Sequence, residues 1–369
     1  MLGKAVGVGV ALALAMTIAA TGRAGLAAQA PDTPRPTFSE WLAGVRAEAL
    51  TRGIREEIVD AALADVSEPL PIILERDRAQ AETVLSLEKY LSRRLTPKLI
   101  RGGREAYVQH RELLDRIAEQ YGVPPRIIVA IWGVESNYGR FTGVRPAVSA
   151  LATLAWDPRR AAFFRGELFS ALEILNRGDI DLANLRGSWA GAMGQVQFMP
   201  SSYLKFAEDF DGDGLRDIWS TPSDIFASIA NYLQGHGWAA DRTWGREVGL
   251  TPDAEHRVAT DVAPRSGTCQ ATRNMTVALP LERWHELGVG LPGGGALPKR
   301  DLQASLVSGS TRHFLVYSNY DALLDYNCAH SYAISVALLS DAIASNAKLP
   351  AKPSESRKPA SRKRPAGRR

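Results

Sequence analysis

The feature that most constrains this chain is the apolar run IIVAIWGVESNYG, residues 127–139, which contains a single carboxylate, Glu135. Two prolines, at 124 and 125, precede it. Proline is tolerated in the first turn of a helix because the N–H groups there have no intrahelical partner. The glycine that closes the run is typical of a helix end. The carboxylate follows two of the isoleucines by four and eight residues, which predicts that it shares their buried face.

A carboxylate on an apolar helix face has unusual acid–base properties. Burial disfavours its charged form and therefore raises its pKa. A glutamic acid that stays protonated near neutral pH can serve as a general acid. The alternative is that Glu135 only ends the helix or pairs with a neighbouring arginine such as Arg140. The run alone leaves both interpretations open.

Further motifs follow this run in the chain. They are YGVPPRIIVAIWGVESNYGRFTG (121–143), LATLAWDPRRAAFFRGEL (151–168), GSWAGAMGQVQFMPSSY (187–203), DFDGDGLRDIW (209–219), IANYLQGHGW (229–238) and YNCAHSYAISV (326–336). Over residues 38–345 the pattern resembles the B-type lytic murein transglycosylases, glycoside hydrolase family 103. The resemblance implies a mainly α (α+β) fold, with a lysozyme-like helical core, an accessory helical lobe and a small β-containing insertion.

Composition and periodicity, together with the resemblance, divide the chain into six segments. They are a signal peptide (1–30), a linker and accessory helical lobe (31–115), a catalytic core with a calcium-type loop (116–245), a small β-containing insertion (246–325), a return to the core (326–347) and a disordered basic tail (348–369). The first segment has a lysine, an apolar run and an A-x-A-like cleavage option, the layout of a secretory signal. An uncleaved anchor is the alternative. We expect cleavage and a soluble protein in the periplasm.

Basic charge is concentrated at the C-terminus. Residues 348–369 carry nine Lys or Arg against one Glu, whereas the whole chain has a net charge of only +4. Such a Pro-, Ser- and Lys/Arg-rich segment cannot build a core, which predicts disorder. It is interpreted either as a solubilising tail or as a tether to an anionic surface, such as cell-wall phosphates or anionic lipid. Export argues against nucleic acid as a partner, and we expect a monomer.

The chain has two cysteines, Cys269 and Cys328. In an oxidising compartment they could form a disulfide. Sequence separation does not show whether two cysteines are close in space, so the pairing stays open. Because Cys328 directly follows Asn327, a bridge there would stiffen the rim of the proposed site.

The acidic loop, residues 209–214 (DFDGDG), is a second candidate site. Its spacing matches positions 1, 3, 5 and 6 of an EF-hand loop, and clustered carboxylates repel one another unless a cation is present. Position 12 is Ser220 instead of the usual glutamate, and the resemblance implies a displaced acidic ligand. The predicted ligands of a structural Ca²⁺ are Asp209, Asp211, Asp213, Asp224 and the carbonyl of Leu215. An Asx-rich turn without metal is the alternative, and no organic cofactor is expected.

Glycosidases usually need two carboxylates, but no partner for Glu135 stands out. Glu167, Glu173, Asp179 and Asp181 lie on stretches that we predict to be exposed helix or loop. The resemblance implies that the glutamate acts alone. It would protonate the glycosidic oxygen between N-acetylmuramic acid and N-acetylglucosamine, then take a proton from the muramic C6 hydroxyl, giving a 1,6-anhydro product. A lysozyme-type hydrolase and a non-catalytic wall-binding scaffold are the alternatives.

The resemblance also assigns substrate-binding residues by matching position. They are Ser188, Gln197, Tyr326, Asn327, Tyr332, Tyr90, Tyr232, Arg159 and Arg160. The serine would orient the catalytic glutamate, and the glutamine would contact an N-acetylated sugar. The tyrosines and the asparagine would line the cleft, and the two arginines would bind lactyl or peptide carboxylates. The competing interpretation is that the aromatic residues pack in the core and that the arginines are surface charges.

Overall fold

Helices dominate the part of the chain that the structure, a computed structural model, describes, namely residues 36–82 and 85–344. The α-helices there are α1 (Phe38–Thr51), α2 (Glu56–Leu63), α3 (Pro71–Glu82), α4 (Leu87–Arg94), α5 (Pro97–Gln109), α6 (Arg111–Tyr121), α7 (Pro125–Ser136), α8 (Ala147–Trp156), α9 (Ala161–Arg177), α10 (Pro200–Phe206), α11 (Pro222–Gly235), α12 (Pro252–Asp261), α13 (Gln270–Arg273), α14 (Leu281–Glu286), α15 (Asn319–Tyr326) and α16 (His330–Ala344). The strands are β1 (Arg145–Pro146), β2 (Arg186–Gly187), β3 (Gly245–Val248), β4 (Leu279–Pro280), β5 (Gln303–Ser308) and β6 (His313–Val316), and a 3₁₀-helix spans Leu182–Asn184. The predicted signal peptide and basic tail lie outside the described residues.

Local sequence explains where many of these helices begin. The hydroxyls of Thr96 and Thr251 accept hydrogen bonds of 3.2 Å from backbone N–H groups in the first turns of α5 and α12, as N-caps do. Proline occupies the first turn of α5, α7, α10, α11 and α12. Within the described ranges, no helix combines the length and the apolar character needed to cross a bilayer.

The α7 helix forms the centre of the helical core. All its residues from 127 to 134 are buried, and it packs against α5, α6, α11 and α16. It begins at Pro125, as the proline pair predicts. The predicted end at Gly139 is wrong by three residues. The helix ends at Ser136, because Asn137 adopts a left-handed conformation with φ of 52°.

A four-stranded antiparallel sheet forms the second structural element, with strand order β3–β6–β5–β4. In its register, Gly245 pairs with Val316 across β3 and β6, and Ser305 pairs with the same valine from β5. Together with α12 and α14, the sheet encloses a separate apolar cluster around Trp284, whose Nε1 donates a 2.8 Å hydrogen bond to the Ala304 carbonyl. The predicted fold class, mainly α (α+β), is confirmed, whereas the six segment boundaries stay predictions.

The links that join the sheet region to the helices include a disulfide and a set of hydrogen bonds. A disulfide connects Cys269, just before α13, to Cys328 between α15 and α16, with Cα atoms 5.9 Å apart. At the hairpin between β5 and β6, the Glu88 carboxylate of α4 accepts hydrogen bonds from the Thr311 N–H (2.9 Å) and the Ser310 hydroxyl (2.8 Å). The hydrogen bond from the Thr311 N–H makes the largest contribution to lowering the pKa of Glu88 to about 2. Both links brace the region around α16.

Candidate active site

Glu135 lies in the last turn of α7, one residue before the helix ends. The side chain is half-buried, and desolvation by the surrounding protein raises the pKa of its carboxyl from 4.5 to about 7. Two neighbours oppose this shift: the adjacent hydroxyl of Tyr332 and the positive charge of Arg94. Desolvation outweighs both, so a large share of this carboxyl is protonated at neutral pH. This is the property that a general acid needs.

The turn that follows Glu135 is held by several contacts. The Ser136 hydroxyl donates to the Trp132 carbonyl and accepts from the Gly139 N–H, both at 3.0 Å. Tyr138 has a positive φ of 60°, which is unusual for a bulky residue. Its ring folds back over α7 at Gly133, and its hydroxyl donates a 2.7 Å hydrogen bond to a carbonyl of α5. The strained turn is therefore tied to a neighbouring helix, which limits how far the Glu135 carboxyl can move.

A cluster of tyrosines lies beside the carboxyl. The rings of Tyr326 and Tyr332 stack with centroids 6.1 Å apart, and Tyr232 packs on Tyr326 at 4.7 Å. The Tyr326 hydroxyl donates to the Val196 carbonyl at 2.8 Å, whereas the buried Tyr332 hydroxyl next to Glu135 has no partner of ordinary hydrogen-bond geometry. Burial raises the pKa of both stacked tyrosines well above the usual value, with the charge of the glutamate adding to the shift. The tyrosines therefore remain neutral.

Three other predicted substrate-binding residues differ in their surroundings. The Tyr232 hydroxyl donates to the Asp325 carbonyl at 2.7 Å, and its ring is buried against Phe198 and Phe206. Asn327 is exposed at the C-terminal end of α15. Tyr90 is half-buried on α4, the helix that also carries Arg94. Their contacts with a sugar stay predictions.

The loop between β2 and α10 carries two predicted site residues. The Ser188 hydroxyl accepts hydrogen bonds of 3.2 Å from the N–H groups of Ala190 and Ala192, so it stabilises its own turn. Gln197 has a positive φ of 52°, and its Nε2 donates to the Gly194 carbonyl at 2.9 Å. Neither contact tests the predicted roles toward Glu135 or a sugar, and those roles stay predictions.

The two predicted carboxylate-binding arginines already contact carboxylates of this chain. Arg159 pairs with Asp77 of α3 at 2.6 Å and with Asp157 at 3.0 Å, and Arg160 pairs with the second oxygen of Asp77. Both guanidinium groups remain partly exposed. A substrate carboxylate would have to share these N–H donors with Asp77, a residue that the sequence analysis did not single out.

Two of the four carboxylates that we considered as partners for Glu135 have partners elsewhere in the chain. Glu167 is buried, so its predicted exposure is wrong. Its carboxylate accepts hydrogen bonds from the N–H (2.9 Å) and the hydroxyl (2.7 Å) of Ser201 at the start of α10. Glu173 pairs with Arg177 of the same helix at 3.0 Å. Among the described residues, no acidic side chain contributes to the shifted pKa of Glu135.

The acidic loop gathers three carboxylates at one point. Oxygen atoms of Asp209, Asp211 and Asp213 lie within 4.8 Å of one another. Asp209 also accepts hydrogen bonds from the N–H groups of Gly212 (2.8 Å) and Gly214 (2.9 Å), and both glycines have positive φ. Convergent carboxylate oxygens on a loop of this shape fit a hard cation such as Ca²⁺.

The other two predicted ligands are connected to this loop through the backbone. Asp224 is fully buried, and its two oxygens accept hydrogen bonds of 2.9 Å from the N–H groups of Phe210 and Asp217. Burial, the largest cause, and the negative charges of nearby loop aspartates raise its pKa. The Leu215 N–H donates to Asp213 at 2.8 Å. Direct coordination by Asp224 and by the Leu215 carbonyl stays a prediction.

Sequence reasoning missed two residues near the end of α7, Arg94 and Gln195. Arg94 acts through its charge, and its buried Nε lacks a hydrogen-bond partner. The Gln195 amide accepts a 2.7 Å hydrogen bond from the indole N–H of Trp132 on α7. A signal for the glutamine was available, because it interrupts the same apolar motif as Gln197.

Comparison with known proteins identifies the family. The family model described as Transglycosylase SLT domain matches residues 37–341. The chain belongs to this family. The predicted family and the predicted lysozyme-like helical core are thereby confirmed.

Several relatives of this SLT domain protein are known. It is 46% identical over 151 residues to the membrane-bound lytic murein transglycosylase B of Escherichia coli K12, an alignment that covers 41% of this chain and 42% of that protein. The aligned part thus spans about two fifths of the curated relative. Pseudomonas aeruginosa SltB3, solved in complex with NAG-anhNAM-pentapeptide, is 39% identical over 84% of this chain and 80% of that chain, with a TM-score of 0.74. Escherichia coli Slt35, solved in complex with calcium, is 29% identical over 85% and 94%, with a TM-score of 0.68.

Proposed function

We propose that this protein is a lytic transglycosylase that cleaves peptidoglycan glycan strands between N-acetylmuramic acid and N-acetylglucosamine and leaves 1,6-anhydromuramic acid ends. The observation that carries the proposal is a single desolvated carboxyl, Glu135, with a pKa of about 7. Family membership, the curated murein transglycosylase and the NAG-anhNAM-pentapeptide complex of SltB3 support the same reaction.

The first half of the reaction uses the protonated form of Glu135. Its raised pKa keeps a proton available at neutral pH, and this proton passes to the glycosidic oxygen as the bond to C1 of the muramic residue breaks. The neutral tyrosines beside it add no negative charge to the site. No second carboxylate is required at this stage.

The second half uses the carboxylate that remains. Glu135 takes the proton of the muramic C6 hydroxyl while the C6 oxygen bonds to C1, so the product is a 1,6-anhydro ring and no water is consumed. The Tyr332 hydroxyl and the charge of Arg94 both favour the ionised glutamate, as the base step needs. The substrate residues assigned above would hold the strand on both sides of the scissile bond.

We propose that the acidic loop binds a structural Ca²⁺ through Asp209, Asp211, Asp213, Asp224 and the Leu215 carbonyl. The ion would neutralise the clustered carboxylates, which otherwise repel one another. The calcium complex of Slt35 supports this assignment. We further propose export to the periplasm, action as a monomer, and contact of the basic tail with an anionic wall or lipid surface.

The decisive experiment is mass spectrometry of the soluble products after purified peptidoglycan is incubated with the protein. We expect fragments that end in 1,6-anhydromuramic acid, one water lighter than reducing-end fragments. Glu135→Gln should give no product, whereas Glu112→Gln, on the exposed face of α6, should match the wild type. Reducing ends would identify a hydrolase instead, and protein bound to the pelleted wall without any product would identify a scaffold.

A further inference from the structure

We infer that Gln195 is a positioning residue that couples the acidic loop to Glu135. The side-chain amide of Gln195 spans the gap between the end of α7 and the segment that follows the loop. The inference rests on the proposed function and extends it. Gln195 is not among the predicted substrate-binding residues, and it is assigned the role of holding the Glu135 carboxyl in place.

At the α7 end, Gln195 contacts the chain on both sides of Glu135. Its Oε1 accepts a 2.7 Å hydrogen bond from the indole N–H of Trp132, three residues before the glutamate. The same oxygen lies against Gly139, four residues after it, where a Cβ atom would overlap the amide. Because both turns that flank Glu135 rest on one amide group, a shift of this amide would move the carboxyl with it.

Trp132 connects the hydrogen bond that it donates to Gln195 with neighbouring aromatic side chains. Its ring packs edge-on against Tyr138, Phe226 and His110, with centroid distances of 5.6, 5.0 and 5.8 Å. The indole therefore fixes the orientation of α7 relative to α11 and to the junction of α5 and α6. The hydrogen bond to Gln195 satisfies the indole N–H, which is the only polar group of the Trp132 side chain.

At its other end, Gln195 is bonded to the segment that leads away from the acidic loop. Its Nε2 donates to the Trp219 carbonyl at 2.7 Å, and its backbone N–H donates to the Ile218 carbonyl at 2.8 Å. The Trp219 N–H in turn donates to Asp217 at 2.8 Å, and the Asp217 N–H donates to Asp224 at 2.9 Å.

Asp224 completes the connection, because its second oxygen accepts from the N–H of Phe210, inside the acidic loop. A continuous series of hydrogen bonds therefore runs from the loop through Gln195 to Trp132. A side-chain amide suits the centre of this series, because its oxygen accepts from the indole N–H and its nitrogen donates to the carbonyl. Physical continuity shows where coupling can pass, and the energetic coupling is measured by perturbing the acidic loop and Gln195 separately and together.

Two variants of Gln195 and one control test the two ends of its side chain. Gln195→Leu removes both side-chain hydrogen bonds, and Gln195→Glu keeps the acceptor for Trp132 but loses the donor to Trp219. Gln234→Leu is the matched control, because Gln234 of α11 also bridges two helices, donating to the Tyr121 carbonyl at 3.2 Å, without contacting α7's last turn.

The first readout is the formation of anhydro product. We expect Gln195→Leu to lower kcat by about ten- to a hundredfold with KM changed less than threefold, because a misplaced acid slows the chemical step. Gln195→Glu should retain more activity than the leucine variant, and the control should match the wild type. A melting temperature for each variant excludes a general loss of folding. Wild-type kcat in a folded Gln195→Leu protein would overturn the inference.

The second readout does not depend on activity. Amide hydrogen exchange of the segment 136–141 is measured with calcium and with chelator, in the wild type, in Asp211→Ala and in the Gln195 variants. We expect chelator to speed exchange of this segment in the wild type and Gln234→Leu, but to have no effect in either Gln195 variant. An equal chelator effect in all variants would overturn the coupling. If the wild type forms no anhydro product but shows this pattern, the proposed function fails and the coupling stands.

Discussion

At Glu135, three influences act on one carboxyl, and their balance sets its chemistry. Desolvation raises the pKa to about 7, although the Tyr332 hydroxyl and the Arg94 charge lower it. The same two groups that oppose protonation would favour the carboxylate in the base step. A carboxyl near the midpoint of its titration can accept and donate a proton at the same pH, which is what a catalyst without a second carboxylate requires.

The raised pKa predicts a stability effect for Glu135→Gln. Because the pKa is higher in the folded state than the ordinary 4.5, the folded protein loses stability as pH rises from about 4.5 to about 7. We expect the variant to be inactive but more stable above pH 7, by on the order of 1–3 kcal/mol. Thermal unfolding at pH 4 and pH 8 tests this. A gain of the same size at both pH values would contradict the assignment of the shifted group.

The charge of Arg94 predicts a change in pH dependence. Removing it in Arg94→Met should raise the pKa of Glu135 further, so activity should persist to higher pH before it is lost. The measurement is kcat/KM for anhydro product between pH 5 and 9, with Arg94→Lys as the charge-preserving control. An alkaline limb that stays in place in Arg94→Met, or that moves equally in Arg94→Lys, would exclude an electrostatic role.

For the helix α7, local sequence signals predict the first residue better than the last. The proline pair predicts the start of α7 correctly, because the signal lies within one helical turn. The end was wrong because Tyr138 turns back to bond a carbonyl of α5, a contact that spacing in the sequence cannot show. The burial of Glu167 was missed for the same reason, since its partner Ser201 is 34 residues away.

The acidic loop predicts a calcium-dependent melting temperature. Its three carboxylates repel one another without a cation, so a chelator should lower the melting temperature by several degrees. Asp211→Ala should abolish this sensitivity, because it removes one of the convergent carboxylates. Asp241→Ala, which changes an exposed aspartate on another loop, should respond to chelator as the wild type does. Identical melting curves with calcium and with chelator would indicate a turn without metal.

Across the whole molecule, the contacts that complete the site come from distant parts of the chain. Asp77 pairs with Arg160, which lies 83 residues further along the chain. Glu88 bonds to the β5–β6 hairpin, more than 220 residues away, and the disulfide joins cysteines that are 59 residues apart. None of these pairings follows from periodicity or composition. The motif resemblance predicted the family and the fold class correctly, whereas the partners of the charged residues had to come from the structure.

The disulfide predicts a measurable loss of stability on reduction. Closing a loop of 59 residues is worth about 4 kcal/mol in the chain-entropy model. We expect Cys269→Ser, Cys328→Ser and the double variant to lower the melting temperature to the same extent, on the order of 5–10 °C. Treating the wild type with reductant should give the same value. A larger loss in the double variant than in either single one would mean that the thiols matter apart from their bond.

The crowded turn after Glu135 sets a limit on how this protein can be altered by evolution or by design. A side chain at Gly133 would overlap the Tyr138 ring, and one at Gly139 would overlap Gln195. By contrast, Phe141 and Val144, a few residues further on, are 59% and 70% exposed. Libraries that seek a new glycan preference should therefore diversify Phe141 and Val144 and leave 133–139 and Gly143 unchanged, because a side chain at Gly143 would overlap the backbone of Gly187.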